Sequence, residues 1–140
     1  MATINPYLNF KGNTEEAFNF YKSVFGGEFS SIVRFKDVPG VTTKGDESNM
    51  LMHVALPIGG NTLMATDALE SQGQKMVLGD NLSLSLECVS KAEADKLHGA
   101  LSAGGNVEVP MSDAPWGGYW GMLKDKFGVR WMFNYTYPKK

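Results

Sequence analysis

The stretch TEEAFNFYKSVFGG, residues 14–27, decides how the rest of the chain is read. Its apolar residues Ala17, Phe18, Tyr21, Val24 and Phe25 keep the spacing of one helix face. Asn13 and Glu16 have capping-box spacing, in which each side chain satisfies a free amide at the helix start. Gly26–Gly27 supplies a residue able to turn left-handed at the end. The same plan recurs in the second half. Ser90 and Glu93 repeat the cap, Ala94, Leu97 and Leu101 form the stripe, and Gly104–Gly105 ends it. The caps lie 77 residues apart (13 to 90) and the glycine pairs 78 (26 to 104), so a unit has been written twice.

Strands fit around both helices. INPYLNF (4–10) precedes the first and NLSLSLECV (81–89) the second, while EFSSIVRF (28–35) and NVEVPM (106–111) follow them. Each half then offers a hairpin, MLMHVALPIGGNTLMATD (50–67) and GYWGMLKDKFGVRWMFNY (118–135). The chain is therefore expected to be α+β, a single domain over 1–140 built of two β-α-β-β-β modules, 3–67 and 82–137, joined by a linker over 68–81. Their curved mixed sheets would enclose a shared cavity, with the helices outside. The polar, turn-rich loop KDVPGVTTKGDESN (36–49) has no counterpart in the second half and is expected to be exposed and mobile.

Alternation along the strands assigns side chains to faces. Val129, Trp131, Phe133 and Tyr135 form a core set, which leaves Arg130, Met132 and Asn134 toward the cavity. Leu84, Leu86 and Cys88 are expected under the second helix, with Ser83, Ser85 and Glu87 inward. Ile4, Leu8 and Phe10 make the better core set of the first strand, sending Asn5, Tyr7 and Asn9 inward. Leu51, His53 and Ala55, and likewise Thr62, Met64 and Thr66, join them. A slip of one residue would reverse any of these assignments.

Bulk properties narrow the class of function. A chain of 140 residues can bury about 68–70% of its unfolded surface without covalent help. Cys88 is the only cysteine, so no internal disulfide forms and a reducing compartment fits. The amino terminus lacks the basic-then-apolar pattern of a secretory signal, and no apolar run approaches the length of a membrane span. Thirteen Lys and Arg against fifteen Asp and Glu leave a net charge of −2, with no basic cluster suited to nucleic acid. A cytoplasmic protein acting on small molecules is expected.

Four stretches, PYLNFKGNTEEAFNFYKSVFGGE, MHVALPIGGNTLMATDA, DNLSLSLECVSKAEADKLHGALSAGG and WGGYWGMLKDKFGVRWMFN, cover nearly the whole chain. In that order they resemble the PhnB-like branch of the vicinal oxygen chelate superfamily, which includes glyoxalase I, extradiol dioxygenases and bleomycin resistance proteins. PhnB-like proteins have also been labelled as resembling ubiquinone methyltransferases, though no glycine-rich nucleotide loop of that kind is visible here. The resemblance implies a homodimer, since the superfamily commonly pairs its modules across chains. Its enzymes bind a divalent metal through His, Gln or Glu on the first and closing strands of both modules. Carried over by position, those sites fall on Asn5 (Pro6 if the register slips), Met64, Ser83 and Met132. Thioethers, an amide and a hydroxyl suit a hard or borderline cation poorly. No metal and no cofactor are expected.

His53 is the one histidine on an inferred cavity face, read either as a general base or donor to a ligand, or as a hydrogen-bonded strand residue. His98 reads as structural on the second helix. Glu87 and Arg130 either clamp a polar ligand, pair with each other, or sit solvated at the rim. Trp116, in the loop PWGGYW, is placed to stack on a flat ligand, whereas Trp120 and Trp131 read as core or interface. Met64 and Met132 would line a soft pocket or act as filler. Cys88 reads as buried and unreactive. The leading expectation is a metal-free binding protein for an unidentified small molecule, contacted by Tyr7, Met64, Ser83, Glu87, Trp116, Arg130 and Met132. The alternative is a lyase or dioxygenase with a weakly held metal, or with His53 as base.

Overall fold

A computed structural model describes residues 2–73 and 75–139. Strand β1 (Tyr7–Phe10) leads into helix α1 (Thr14–Phe25), then β2 (Ser31–Arg34), β3 (Leu51–Ile58) and β4 (Asn61–Asp67). The second half runs β5 (Leu84–Glu87), α2 (Lys91–Leu101), β6 (Asn106–Ala114), β7 (Gly118–Lys124) and β8 (Arg130–Thr136). The two sheets have the same order, β1-β4-β3-β2 and β5-β8-β7-β6, with β1 parallel to β4, β5 parallel to β8 and the other pairs antiparallel. The chain divides into two units, one ending at Val77 and the other beginning at Leu78. Among the described residues no helix is long and apolar enough to cross a membrane.

In the first unit α1 lies against β3 and β4. Its stripe buries Ala17, Phe18 and Tyr21 completely, against Val54, Leu56 and Ala65, each 0% exposed. Each large side chain buried in this way contributes about 1.5–3 kcal/mol. Alternation on β4 is regular: Leu63, Ala65 and Asp67 are buried, and Thr62, Met64 and Thr66 lie on the opposite face.

Three expectations for this unit need correction. Asn13 makes no side-chain cap. The buried carboxylate of Asp67 takes its place, with Oδ1 accepting from Gly12 N (2.9 Å), Thr14 N (3.1 Å) and Thr14 Oγ1 (2.6 Å). Its Oδ2 accepts from Leu51 N at 2.9 Å, so one side chain ties β4, the helix start and β3 together. Second, Ile4 is 87% exposed and not core, because β1 begins only at Tyr7. Third, Leu51 does not share an open face with His53. Val33 pairs with His53 but Arg34 with Leu51, so β3 carries an extra residue at Met52. That bulge shifts the alternation, and Leu51 is 1% exposed.

The loop over 36–49 carries short 3-10 turns at Phe35–Asp37 and Gly45–Asn49. Glu47 fastens it: Oε1 accepts from Lys44 N (2.8 Å) and Ser71 Oγ (2.5 Å). Those hydrogen bonds, that of Ser71 first, hold the Glu47 carboxyl below the usual range.

In the second unit α2 packs on β7 and β8. Ser90 caps it as expected, accepting from Glu93 N at 3.0 Å. Glu93 reaches back one residue further than a capping box, accepting from Val89 N at 3.1 Å. Leu101, Leu123, Trp131 and Phe133 form the core, each at most 1% exposed. Trp131 is buried only because its indole N–H finds Asp125 Oδ2 at 2.9 Å. Asp125 Oδ1 also accepts from the amides of Phe127 and Val129, closing the β7–β8 turn. His98 packs edge-on to Phe133 at 5.3 Å, in line with its structural reading, and its Nε2 is buried with no hydrogen bond. The two glycines after α2 serve different ends. Gly104 has φ 75°, whereas a Cβ on Gly105 would lie 2.4 Å from the Lys124 carbonyl oxygen.

Candidate functional site

Each sheet has one face toward its helix and one face free of it. Register fixes what the free faces carry, because residues directly opposite on paired strands share a face. In the first sheet Tyr7, Met64, Ala55 and Ser31 form one row from β1 to β2, and Asn9 with Thr66 begins the next. His53 joins this face opposite Val33. Its Nδ1 lies 3.2 Å from the Tyr7 hydroxyl, and the rings tilt against each other at 5.8 Å. No hydrogen bond reaches the other ring nitrogen from any described residue, so it is available to a ligand. Tyr7 is 46% exposed. The face is thus a thioether flanked by a phenol–imidazole pair and two threonines.

Asn5, at the first carried-over position, is committed elsewhere. Its Oδ1 accepts from Thr62 N at 2.9 Å and from Asn61 Nδ2 at 3.5 Å, which secures the start of β4.

In the second sheet one row is Ser85, Met132, Met122 and Val109, and the next is Glu87, Asn134, Trp120 and Ser112. Met132 and Met64 are equivalent, each on the closing strand beside the first strand of its sheet. Ser83 lies just before β5, partly exposed. The Glu87 carboxylate accepts from Asn134 Nδ2 (2.8 Å) and Thr136 Oγ1 (2.9 Å). These bonds, Asn134's first, hold its carboxyl below the usual range. Trp116, 62% exposed, approaches Asn134 Oδ1 with its indole nitrogen at 3.4 Å and meets Trp120 edge-on at 5.7 Å. Trp120 therefore belongs to the free face rather than to the core.

Glu87 and Arg130 do not pair. Arg130 grips Glu108 through Nε (3.1 Å) and Nη2 (2.7 Å) and gives Nη1 to the Asp80 carbonyl at 2.7 Å. Arg130 instead forms a bidentate ion pair with Glu108 on β6, two strands away across the sheet, a partner that alternation along β8 does not reveal. Cys88 is 4% exposed, and burial, reinforced by Glu93 and Glu87, pushes its thiol up to about 11. A thiol so placed is no nucleophile near neutral pH.

Two members of the second face, Asn134 and Thr136, escaped selection as site residues. The signal was there: both follow Arg130 and Met132 at even positions of one strand.

Metal ligation is poorly served by these side chains. Among the described residues no three of His, Cys, Asp and Glu come together as a metal site. The carried-over positions hold an amide already engaged, a serine and two thioethers, and zinc, nickel, iron(II) and manganese select imidazole and carboxylate over thioether. A defined cleft lies elsewhere, a space of about 220 Å³ lined by Gly12, Glu15, Asp46, Asn49, Met50, Leu51 and Asp67. Its acidic groups are largely spent: Glu15 is paired with Arg34 at 2.5 Å and Asp67 is saturated by the helix start.

Comparison with known proteins agrees with this architecture. The protein PA1353 of Pseudomonas aeruginosa is 37% identical, with a TM-score of 0.86 over 97% of this chain and 98% of that one. A putative 3-demethylubiquinone-9 3-methyltransferase, PhnB protein, of Bacillus cereus is 28% identical, with a TM-score of 0.76 over 96% and 100%. A glyoxalase/bleomycin resistance protein/dioxygenase family enzyme of Burkholderia phytofirmans shares the fold at 18% identity, TM-score 0.63, over 94% and 97%. The family model described as 3-demethylubiquinone-9 3-methyltransferase matches residues 2–133. The chain belongs to that 3-demethylubiquinone-9 3-methyltransferase family, and its likeness to the glyoxalase/bleomycin resistance/dioxygenase enzyme is one of fold.

Proposed function

We propose that this protein is a metal-free, small-molecule binding protein that works as a cytoplasmic homodimer. One observation carries the reading. At the equivalent position of both sheets, where the superfamily's enzymes would place a metal-binding side chain, the free face presents a methionine, Met64 paired with Tyr7 and Met132 paired with Ser85. Thioethers are soft and adaptable, suited to apolar ligands of irregular outline. Around them stand groups that orient a ligand by hydrogen bonds and stacking: Tyr7, His53, Glu87, Asn134 and Trp116. The bleomycin resistance proteins of the superfamily supply the analogy, binding a ligand without transforming it.

The test is a thermal-shift survey of small organic compounds, each run with and without a chelator. A specific ligand at one hundred times its Kd adds about 2.7 kcal/mol, a rise of roughly 5–10 °C for a domain of this size. A saturable rise that the chelator leaves intact is the expected result. A rise that requires added divalent metal contradicts the reading. The homodimer is tested by sedimentation, where twice the 15.3 kDa chain mass is expected.

A second reading, a metal-free catalyst, is favoured by the Tyr7–His53 pair. The phenol at 3.2 Å orients the imidazole, and an oriented imidazole with a free nitrogen can move a proton. Turnover of a bound compound that His53→Ala abolishes, at unchanged melting temperature, would establish it.

A further inference from the structure

Among the described residues, the free face of the second sheet carries one formal charge without a counter-charge. Arg130 is neutralised by Glu108, and Lys124 lies 3.4 Å from Asp80. Glu87 is different, since both groups bonded to its carboxylate, Asn134 and Thr136, are neutral. Those two donors fix the carboxylate in place without cancelling its charge. Asn134 then extends the arrangement, because its Oδ1 meets the Trp116 indole N–H, and Trp116 in turn meets Trp120. Thr136, Glu87, Asn134, Trp116 and Trp120 are therefore one connected group.

The backbone beneath is cut to hold it. A Cβ on Gly118 would fall 2.7 Å from Asn134 Oδ1 and 2.9 Å from Trp116 Nε1, so any other residue here would have to push the amide and the indole out of their present contact. The preceding Gly117, with φ 90°, lets the chain turn so that Trp116 reaches back over the sheet. A large aromatic side chain is thereby held 62% exposed, joined through Asn134 to a fixed carboxylate.

We propose that this group binds a small organic cation, a substituted ammonium or protonated heteroaromatic amine. Its charge would face the Glu87 carboxylate and its ring or methyl groups the face of Trp116. An indole face and a carboxylate both favour positive charge and both disfavour negative. The inference rests on the small-molecule binding reading above and names the ligand class for its second face. It also explains the use of neutral donors on Glu87: a lysine or arginine there would cancel the charge that selects the ligand.

The test follows tryptophan fluorescence and the indole N–H resonances of the full-length protein titrated with three probes of similar size. They are benzyltrimethylammonium, phenylacetamide and phenylacetate. The cation is expected to bind about tenfold more tightly than the amide, with the anion weakest, and its affinity should fall as salt rises. Glu87→Gln keeps an acceptor oxygen for Asn134, lets its new amide N–H donate to the Thr136 hydroxyl in place of accepting from it, and removes the charge. It should erase the preference for the cation, leaving phenylacetamide binding unchanged. Trp116→Ala should weaken the cation fivefold or more, and thermal melts of both variants check that the fold is kept. Equal binding of cation and amide by the unaltered protein, or a cation affinity that Glu87→Gln does not change, overturns the inference and leaves small-molecule binding standing. If none of the three probes binds, the cation site is wrong. If the thermal-shift survey is also blank, the binding reading falls with it.

Discussion

The two units share a strand order and a pattern of pairing, but they solve two local problems differently. The first is the helix start. In the second unit Ser90 caps α2 from the adjacent position, as a hydroxyl three residues ahead of an amide readily does. In the first unit Asp67, more than fifty residues along the chain, reaches from the end of β4 to cap α1 and holds β3 as well. The second problem is the free face of the sheet. The first unit puts a phenol–imidazole pair beside Met64, and the second puts a carboxylate, an amide and two indoles beside Met132. The difference teaches that the repeat conserves the frame and varies what the frame displays.

The largest expected effect comes from breaking the distant cap. Asp67→Ala strands the amides of Thr14 and Leu51 in a buried site and frees that of Gly12, and should cost about 3 kcal/mol or more in urea unfolding. Ser90→Ala removes one bond at a surface helix end and should cost about 1 kcal/mol. Equal costs would mean that Asp67 acts only as an ordinary cap and does not bind three elements together.

The free faces are expected to behave in the opposite way, weakly coupled to stability and strongly to ligand. His53→Ala removes a part-exposed pair and should change stability by less than about 1 kcal/mol. A larger loss would assign His53 to the framework and remove it from the binding face. Acid sharpens the contrast at smaller scale. Glu15, hydrogen-bonded by Arg34, and Glu87, hydrogen-bonded by Asn134, both have carboxyls below the ordinary value of 4.5. A depressed carboxyl contributes stability at pH values above its unfolded pKa and loses it as pH falls through the folded value. The melting temperature should therefore hold steady down to about pH 5 and fall below it, with a shallower fall in Glu15→Gln.

How much of this was legible beforehand depends on whether a residue's partner was near in sequence. The Ser90 cap, the Trp131–Phe133 core and the set of β4 that faces away from α1 follow from spacing of two to four residues. The Asp67 cap was not legible, because nothing local announces that a strand's last aspartate will meet a helix start. Asn13, the residue that spacing favoured, was left without a bond. Leu51 was misassigned for a similar reason: a bulge at Met52 exists only because β2 pairs across it. At the sites, alternation brought His53, Met64, Glu87 and Met132 to the free faces. It could not say that Tyr7 would meet His53, that Arg130 would be held by Glu108, or that Asn134 and Thr136 would hold Glu87.

The central claim is that these faces bind an organic molecule without a metal. It is tested most directly by elemental analysis of protein purified without a histidine tag, followed by calorimetric titration with Ni²⁺, Zn²⁺, Fe²⁺ and Mn²⁺. Negligible metal and no saturable heat are expected, since Met64, Met132, Ser83 and an engaged Asn5 offer no hard or borderline ligand set. One tightly held ion per chain, lost on substitution of His53 or Glu87, would contradict the account and bring metal-assisted catalysis to the front.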